Sequence, residues 1–220
     1  MKSIEEKYAR LLTSYCLELK EGDKFYLKST TLAEPLVREV YKCAIEAGAI
    51  VEVDLDFAEK NNIFLHTAKE HQLRYVSPLY YNAMDKFDAY LLIRAPFNLK
   101  EDASVPAEAT KIRSEALAAA NRRYFTRIAD RSLKRSLCQY PTQASAQEAG
   151  MSLTEYSDFV YRACKLHLDS PEEGWLKARA EQQRIVDHLN KCQRVQYKGP
   201  DTDIRLSTHG RTWITSDRRS

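Results

Sequence analysis

Phe25-Tyr-Leu-Lys-Ser29 and Ile50-Val-Glu-Val-Asp-Leu-Asp-Phe57 are two strand-like segments, and the residues between them repeat apolar side chains with helical spacing. The repeat covers residues 33–47 and stops at Gly48, a residue type that often ends helices. A strand, a helix of about four turns and a second strand, joined by short loops, make a βαβ unit. Such a unit has parallel strands and a right-handed crossover. The stretch therefore predicts an α/β fold with a mainly parallel sheet flanked by helices.

Further segments extend this pattern on both sides. Residues 4–19 repeat apolar side chains at helical spacing behind Ser3, a residue type that favours the N-cap position. Residues 89–94 are almost continuously apolar, which is typical of a strand buried in the middle of a parallel sheet. Pro106 is predicted to begin a helix that continues toward Ile128, and residues 136–140 are a candidate fourth strand.

The last third of the chain predicts a helical segment at about residues 144–192 and a β-hairpin at about 194–216. Its helices are expected at residues 153–166 and 174–190, with a capping pattern at Ser152 and with Pro171 in the first turn of the second helix. The hairpin and one further strand are expected at residues 195–197, 204–206 and 211–214.

The composition indicates a chain that can fold without disulfide bonds. Its 220 residues are enough to bury a core, and its five cysteines are odd in number and far apart, as expected for reduced thiols in a cytosolic protein. No window approaches the roughly 18 apolar residues of a membrane span, so we expect a cytoplasmic protein with no membrane association. The 34 basic and 31 acidic residues are interspersed and give no indication of a nucleic-acid partner.

Short catalytic and binding motifs are absent from the sequence. The five histidines include no His-Glu-x-x-His pattern, and no Rossmann, Walker or Gly-x-Ser-x-Gly motif occurs. His66 and His71 are about 140 degrees apart on a helix, so exposed or helix-capping histidines are favoured over a shared metal site. One segment is basic at helical spacing and contains Arg122, Arg123, Arg127, Arg131, Lys134 and Arg135. A solvated helix face or subunit contact is favoured over a phosphate-binding surface for this segment.

Two pairs of aspartates are the local candidates for a site. Asp54 and Asp56 lie two apart on the second strand, so they share a face near its C-terminal end, where open α/β sheets bind ligands. Acidic residues at strand ends also cap the following helix, and both interpretations stay open. Asp201 and Asp203 flank Thr202 at the predicted hairpin turn, where bonds to nearby backbone amides are favoured over contact with substrate or metal.

A co-linear set of segments resembles the thermophilic metallo-aminopeptidase family, of the aminopeptidase T and aminopeptidase S type. The resemblance runs along nearly the whole chain in order and spacing. It is carried by the opening helix, residues 36–49 leading into Val51-Glu-Val53, Pro141-Thr-Gln-Ala-Ser-Ala146, Met151-Ser-Leu-Thr-Glu-Tyr-Ser-Asp-Phe159, Trp175 and Gly199-Pro-Asp-Thr-Asp-Ile204.

The resemblance implies a two-domain enzyme that releases N-terminal amino acids from peptides. Residues 1–220 then correspond to its N-terminal α/β domain, and a C-terminal domain binds two divalent metal ions of the zinc or cobalt type and forms a homodimer around an enclosed cavity. The family's metal ligands begin beyond the segment around Trp213, so no catalytic residue and no metal ligand is carried over onto this chain. Peptides are the implied substrates, and the 220 residues alone are expected to be inactive.

Two other functions stay open from the residues themselves. The chain could be a non-catalytic module that binds a small ligand around Asp54 and Asp56, or a scaffold. A nucleic-acid binder that uses the basic segment is the third hypothesis, and it predicts salt-sensitive binding to an unspecific duplex.

Overall fold

The computed structural model describes residues 3–215, which divide into two compact units on either side of a boundary between His167 and Leu168. The first unit contains four strands: β1 Lys24–Thr30, β2 Ile50–Asp56, β3 Ala89–Arg94 and β4 Lys134–Gln139. Its helices are α1 Ile4–Arg10, α2 Glu34–Glu46, α3 Lys60–Thr67, α4 Glu70–Arg74, α5 Pro78–Lys86, α6 Ala107–Ala129, α7 Gln143–Glu148 and α8 Leu153–Ala163. The second unit contains α9 Pro171–Leu189 and the strands β5 Arg194–Gly199 and β6 Thr202–Ser207.

The four strands of the first unit form one parallel sheet in the order β2-β1-β3-β4. This confirms the predicted parallel α/β class. The almost continuously apolar β3 lies between β1 and β4, so the prediction of a buried middle strand is also confirmed. The paired strands β5 and β6 of the second unit are antiparallel, as the hairpin prediction required.

One face of the sheet carries the main core. Phe25 and Leu27 of β1 and Leu91 and Ile93 of β3 alternate onto this face and are almost completely buried. Helices α1 and α2 pack against each other, and α2 also contacts β1 and β2. The apolar stripe of α2 thus covers the sheet, which explains why the periodicity of residues 33–47 is so regular.

The opposite face of the sheet carries an aromatic layer. Tyr26 of β1 stacks on Tyr90 of β3 with ring centroids 5.8 Å apart, and Tyr124 of α6 meets Tyr90 edge-on at 5.6 Å. Met84 of α5 is buried beside Tyr90, and α5 packs along α6. Tyr26 and Lys28 lie two apart on β1 and therefore share this face.

The first helix starts as predicted and ends earlier. Ser3 and Glu6 form a reciprocal capping box at its start. A π-helical turn, Leu11–Cys16, replaces the last turns of the predicted helix over residues 4–19. Leu17 N donates to Leu12 O and Glu18 takes a φ of 46°, which ends the helix before Leu19.

The predicted strand at residues 211–214 is wrong, because these residues have no strand structure. The side chain of Asn190 bonds the backbone of Trp213 instead, accepting from its N at 2.7 Å and donating to its O at 3.2 Å. A side chain thus satisfies groups that would otherwise need a neighbouring strand. Residue 216, the end of the predicted hairpin segment, lies outside the described residues.

The hairpin of the second unit has one apolar face and one polar face. Val195 pairs with Leu206 and Tyr197 pairs with Ile204, and these four side chains lie on the same face. Tyr197 is 51% exposed, and Ile204 and Leu206 are each 49% exposed. The opposite face carries the polar and charged partners, such as Lys198 and Asp203.

Gly48 should tolerate alanine less well than Gly22. Both glycines have a positive φ, and Gly22 N donates to Gly48 O at 2.9 Å. A Cβ at Gly48 would lie 3.1 Å from the Cα of Glu21, whereas one at Gly22 would meet nothing within 4 Å. We expect Gly22→Ala to cost about 1 kcal/mol of unfolding free energy and Gly48→Ala about 2 kcal/mol or more. Urea unfolding followed by far-UV circular dichroism measures both; equal losses would contradict the crowding at Gly48.

Candidate ligand-binding cleft

A cleft of about 670 Å³ opens at the carboxyl edge of the sheet. The strand order changes direction between β1 and β3, and open α/β sheets bind ligands outside the carboxyl ends of the strands at such a switch point. The cleft lies there and belongs entirely to the first unit. Its lining comes from the ends of β1, β2, β3 and β4, from the segment after β3, and from α7 and α8: Lys28, Ser29, Thr30, Asp56, Leu92, Ile93, Arg94, Ala95, Pro96, Leu99, Gln139, Ser145, Glu148, Ala149 and Tyr156.

Hydroxyl groups hold the floor of the cleft in place. Ser29 Oγ donates to Ile93 O at 3.0 Å, and Thr30 Oγ1 donates to Ala95 O at 2.6 Å. Each bond joins the end of β1 to β3 or to the residue that follows it. Because both hydroxyls donate to carbonyls within the protein, they fix the floor of the cleft.

The wall formed by α7 is held in a similar way. Thr142 is the N-cap of α7, and its Oγ1 accepts from Ser145 N at 3.3 Å. Gln139, the last residue of β4, donates from Nε2 to Ser145 Oγ at 3.3 Å. The helix is therefore tied to the end of the neighbouring strand, and Ser145 and Thr142 are both buried.

Asp54 and Asp56 form ion pairs with two lysines. In the parallel register Asp54 lies beside Lys28, and Asp54 Oδ2 accepts from Lys28 Nζ at 2.9 Å and from Tyr26 OH at 2.8 Å. Lys28 Nζ also reaches Asp56 Oδ2 at 3.3 Å. Lys60, in the first turn of α3, donates to Asp56 Oδ1 and lies 3.8 Å from Asp54 Oδ1. The two carboxylates share one face, as predicted; Asp56 lines the cleft, and Asp54 is not among its lining residues.

Lys28 and Lys60 help to keep the pKa of Asp54 low. Burial acts to raise the pKa of Asp54, but hydrogen bonds from Lys28 and Tyr26 and the charges of both lysines outweigh it, so its pKa is lowered overall. Burial acts to lower the pKa of Lys28, and the two carboxylates reverse this and raise it. Burial, with the bond to Asp54, raises the pKa of Tyr26 far above its usual range. Near neutral pH Asp54 is therefore ionised, Lys28 is protonated and Tyr26 keeps its proton.

The residues in this part of the chain do not fit a metal centre. Within residues 3–215 no group of three or more His, Cys, Asp or Glu side chains is placed to hold a metal ion. A lysine occupies the space between Asp54 and Asp56 where a cation would bind. His66 is exposed and its Nδ1 bonds Asn62 O at 2.9 Å, and His71 is exposed as well. No metal-dependent step can be derived from these side chains.

The predicted basic segment does not form a continuous stripe. Arg127 is buried, and its guanidinium donates to Met84 O at 3.2 Å and to Ser132 O at 2.8 Å. Arg123 pairs with Asp85. Lys134 and Arg135 belong to β4 and not to the helix. The segment thus divides its charges among structural bonds, which weakens the phosphate-binding interpretation.

The cysteines and the aspartates of the hairpin turn were also considered from the sequence, and the structure shows the surroundings of each. No disulfide joins the five cysteines, all of which lie in the described part of the chain; Cys16 and Cys138 are buried, as expected of core thiols, and the other three are partly exposed. Asp203 accepts from Gln196 Nε2 at 2.6 Å across the hairpin, so its bond goes to a side chain and not to the predicted backbone amide. Asp201 is exposed in the turn. Among the described helices, none combines the length and apolarity that crossing a bilayer requires.

Three charged residues of the cleft were not predicted from the sequence: Lys28, Arg94 and Glu148. Lys28 was detectable in principle, because aligning residues 24–30 with residues 50–56 as parallel neighbours places it beside Asp54. Arg94 is the charged residue that ends the apolar β3, and charged residues at the carboxyl ends of central strands are a recognised indication of a site. No sequence signal distinguishes Glu148, which enters the cleft only through the position of α7.

Removing the Asp54 carboxylate should produce a pH-dependent loss of stability. The pKa of Asp54 is lowered on folding, so its stabilising effect is full above the unfolded pKa of roughly 4 and is lost as pH falls through the folded value. Asp54→Asn should cost about 1 kcal/mol of unfolding free energy at neutral pH. The difference from wild type should shrink toward about pH 2. Urea titrations at a series of pH values measure it.

Asp158→Asn is the matched control, because Asp158 forms an exposed pair with Arg162 one turn along α8. It should change the unfolding free energy by less than about 0.5 kcal/mol. A loss for Asp54→Asn that stays constant across this pH range would contradict the role assigned to its ionised form.

Comparisons with known proteins agree with this fold. The family model described as "Thermophilic metalloprotease (M29)" matches residues 1–220. Aminopeptidase 2 of Geobacillus stearothermophilus is 30% identical over 209 residues, covering 89% of this chain and 50% of the relative. The structure of wild-type AmpT from Thermus thermophilus is similar in fold, with a TM-score of 0.76 and 21% identity over 93% of this chain and 53% of that one. The chain thus spans about half the length of these relatives, and it belongs to the thermophilic metalloprotease (M29) family.

Proposed function

We propose that this chain is the N-terminal α/β domain of a metal-dependent aminopeptidase that releases N-terminal amino acids from peptides. The observation that carries the proposal is the family match along all 220 residues combined with coverage of only about half of each relative. On this proposal residues 1–220 are one domain of a two-domain enzyme. The 220 residues alone have no peptidase activity.

The side chains of the described residues support a division of labour between the two halves. Peptide hydrolysis by a metallopeptidase needs metal-activated water and a polarised carbonyl, and both require a set of metal ligands. Residues 3–215 offer no such set, and lysines engage the acidic pair Asp54 and Asp56. The two divalent metal ions, of the zinc or cobalt type, are therefore assigned to the other half of the enzyme.

The apolar face of the hairpin is evidence that a further segment of the enzyme packs against it. Tyr197, Ile204 and Leu206 share one half-exposed apolar face, and a two-stranded hairpin without a covered face is only marginally stable in water. We assign the cover of this face to the catalytic half. The parent enzyme is proposed to be a cytoplasmic homodimer that acts on peptides, without nucleic-acid or membrane partners.

The 220-residue chain should not hydrolyse aminoacyl p-nitroanilides when zinc or cobalt is added, because it lacks a ligand set to activate water. Release of nitroaniline is followed by absorbance, with Aminopeptidase 2 of Geobacillus stearothermophilus as the positive control. Turnover by the chain that a chelator abolishes would overturn the assignment of the metal site to the other half.

The parent gene provides a test that does not depend on activity. Since the relatives are about twice as long, we expect an in-frame segment after residue 220 that contains histidine and acidic metal ligands. A full-length transcript whose coding region holds no such segment on either side would contradict the domain assignment.

A non-catalytic module that binds a small ligand, or a scaffold, is the second candidate function. The cleft at the switch point favours ligand binding, since its position follows the rule for open α/β sheets. Thermal-shift screening of wild type and Asp54→Ala separates the candidates. Protection of the wild type that the variant loses would support ligand binding around Asp54 and Asp56, and a screen in which no ligand class protects the wild type would remove this candidate.

A further inference from the structure

Helix α6 has one face inside the protein and one face in solvent. It runs from Ala107 to Ala129, and its 23 residues span about 34 Å. The inner face packs against α4 and α5 and buries Ala109, Ala120 and Arg127. The outer face is exposed along most of the length of the helix. We therefore asked what this outer face could bind.

Five exposed residues form a seam along the outer face: Lys111, Glu115, Ala118, Arg122 and Phe125. Successive members are four, three, four and three residues apart in the sequence. This spacing keeps side chains on one side of a helix, and it is the spacing that lines the contact between two packed helices. Phe125 is 66% exposed at one end of the seam. The seam thus has the pattern of a helix-packing surface.

Two charged side chains of the seam are available for an outside partner. Glu115 and Arg122 are exposed, and no hydrogen bond or ion pair joins either side chain to another described residue. The neighbouring basic residues differ in this respect. Arg123 pairs with Asp85, and the guanidinium of Arg127 donates to backbone carbonyls inside the protein. Arg122 is therefore the arginine of α6 whose charge is directed to solvent without a partner.

The seam is complementary to itself in one orientation. Glu115 and Arg122 lie equally far from the midpoint between Ala118 and Ala119, on either side of it. A twofold axis through that midpoint pairs the helix with an antiparallel copy and places Glu115 of one copy beside Arg122 of the other, twice. A parallel pair would instead place like charges together. The antiparallel orientation also sets the two helix dipoles in opposite directions, which is favourable.

The other members of the seam suit the same orientation. Ala118 and Ala119 lie where the two helices cross, and both are exposed. Packed helices have axes about 8–10 Å apart, depending on the side chains at the contact, so alanines allow the closer approach. Toward each end, the ring of Phe125 of one copy meets the aliphatic stem of Lys111 of the other, which covers the ring while the ammonium stays in water.

We propose that the outer face of α6 is a self-association surface, at which two copies of this chain pair antiparallel through Glu115, Arg122 and Phe125. A second copy is the partner that the seam itself indicates, because the seam carries both members of the ion pair at matching positions. The surface belongs to the parallel-sheet unit and contains no residue of the hairpin. Neither the proposed peptidase activity nor the homodimer proposed for the parent enzyme depends on it.

Sedimentation equilibrium of the 220-residue chain tests the proposal. One helix pair is small beside a standard protein interface, so we expect a weak dimer with a dissociation constant on the order of 10–100 µM. Glu115→Arg and Arg122→Glu should each weaken the dimer at least about tenfold, because like charges then meet across the axis. The double variant Glu115→Arg/Arg122→Glu restores the pair with its signs exchanged and should return to within about threefold of wild type.

Three control variants separate this surface from others. Glu181→Arg and Arg184→Glu reverse exposed charges of α9 and should leave the dissociation constant unchanged. Ile204→Ser removes an apolar side chain from the hairpin face and should also leave it unchanged. Far-UV circular dichroism checks that each variant is folded.

Four results would overturn the proposal. They are a wild type that stays monomeric well above the expected dissociation constant, a dimer that the single reversals at Glu115 and Arg122 do not weaken, a dimer that only Ile204→Ser weakens, and a double reversal no tighter than the single ones. Each of these results would leave the proposed function of the chain as it stands, because that proposal does not use the α6 surface.

Discussion

The parallel alignment of four strands places all their carboxyl ends on one edge of the sheet, and the cleft depends on this constraint. β1 lies inside the sheet between β2 and β3, so the chain leaves β1 in one direction and reaches β3 on its other side. The connections diverge at that point and leave a gap that no crossover helix fills. The hydroxyls of Ser29 and Thr30 donate to carbonyls at the end of β3 and hold this edge in place. Helix α7 follows β4, is bonded to its end through Gln139, and lines the cleft.

The charges beside the cleft follow from strand register. Pairing of β1 with β2 places Lys28 beside Asp54, and the first turn of α3 adds Lys60. Partly buried carboxylates without partners are costly, and paired ones contribute modestly to stability. The two lysines therefore neutralise the two aspartates within the protein. Arg94 and Glu148 are the charged side chains of the cleft that have no ion-pair partner among the described residues. The same aspartates that indicated a site from sequence are the ones whose charge is already used.

Local patterns predicted the sheet because they record periodic burial. The strand of residues 89–94 and the helix of residues 33–47 matched, since each buries a regular set of apolar side chains. The failures occurred where non-periodic contacts decide the structure, as at Trp213, whose backbone bonds the side chain of Asn190. The acidic pair at Asp54 and Asp56 was located correctly on one face, but its lysine partners depend on register and on the start of α3. Arg94 and Glu148 are far apart in sequence and line the same cleft only because the fold brings the end of β3 and α7 to it, so no local pattern could connect them.

The two compact units differ in their aromatic content as well as in their secondary structure. The two tryptophans, Trp175 in α9 and Trp213 beyond β6, both belong to the second unit. The parallel sheet and most helices belong to the first. Intrinsic indole emission is therefore a reporter of the hairpin unit alone, and peptide-bond ellipticity reports mainly on the sheet unit. The chain thus contains its own pair of optical probes, with which the cooperativity between the two units can be measured without labelling.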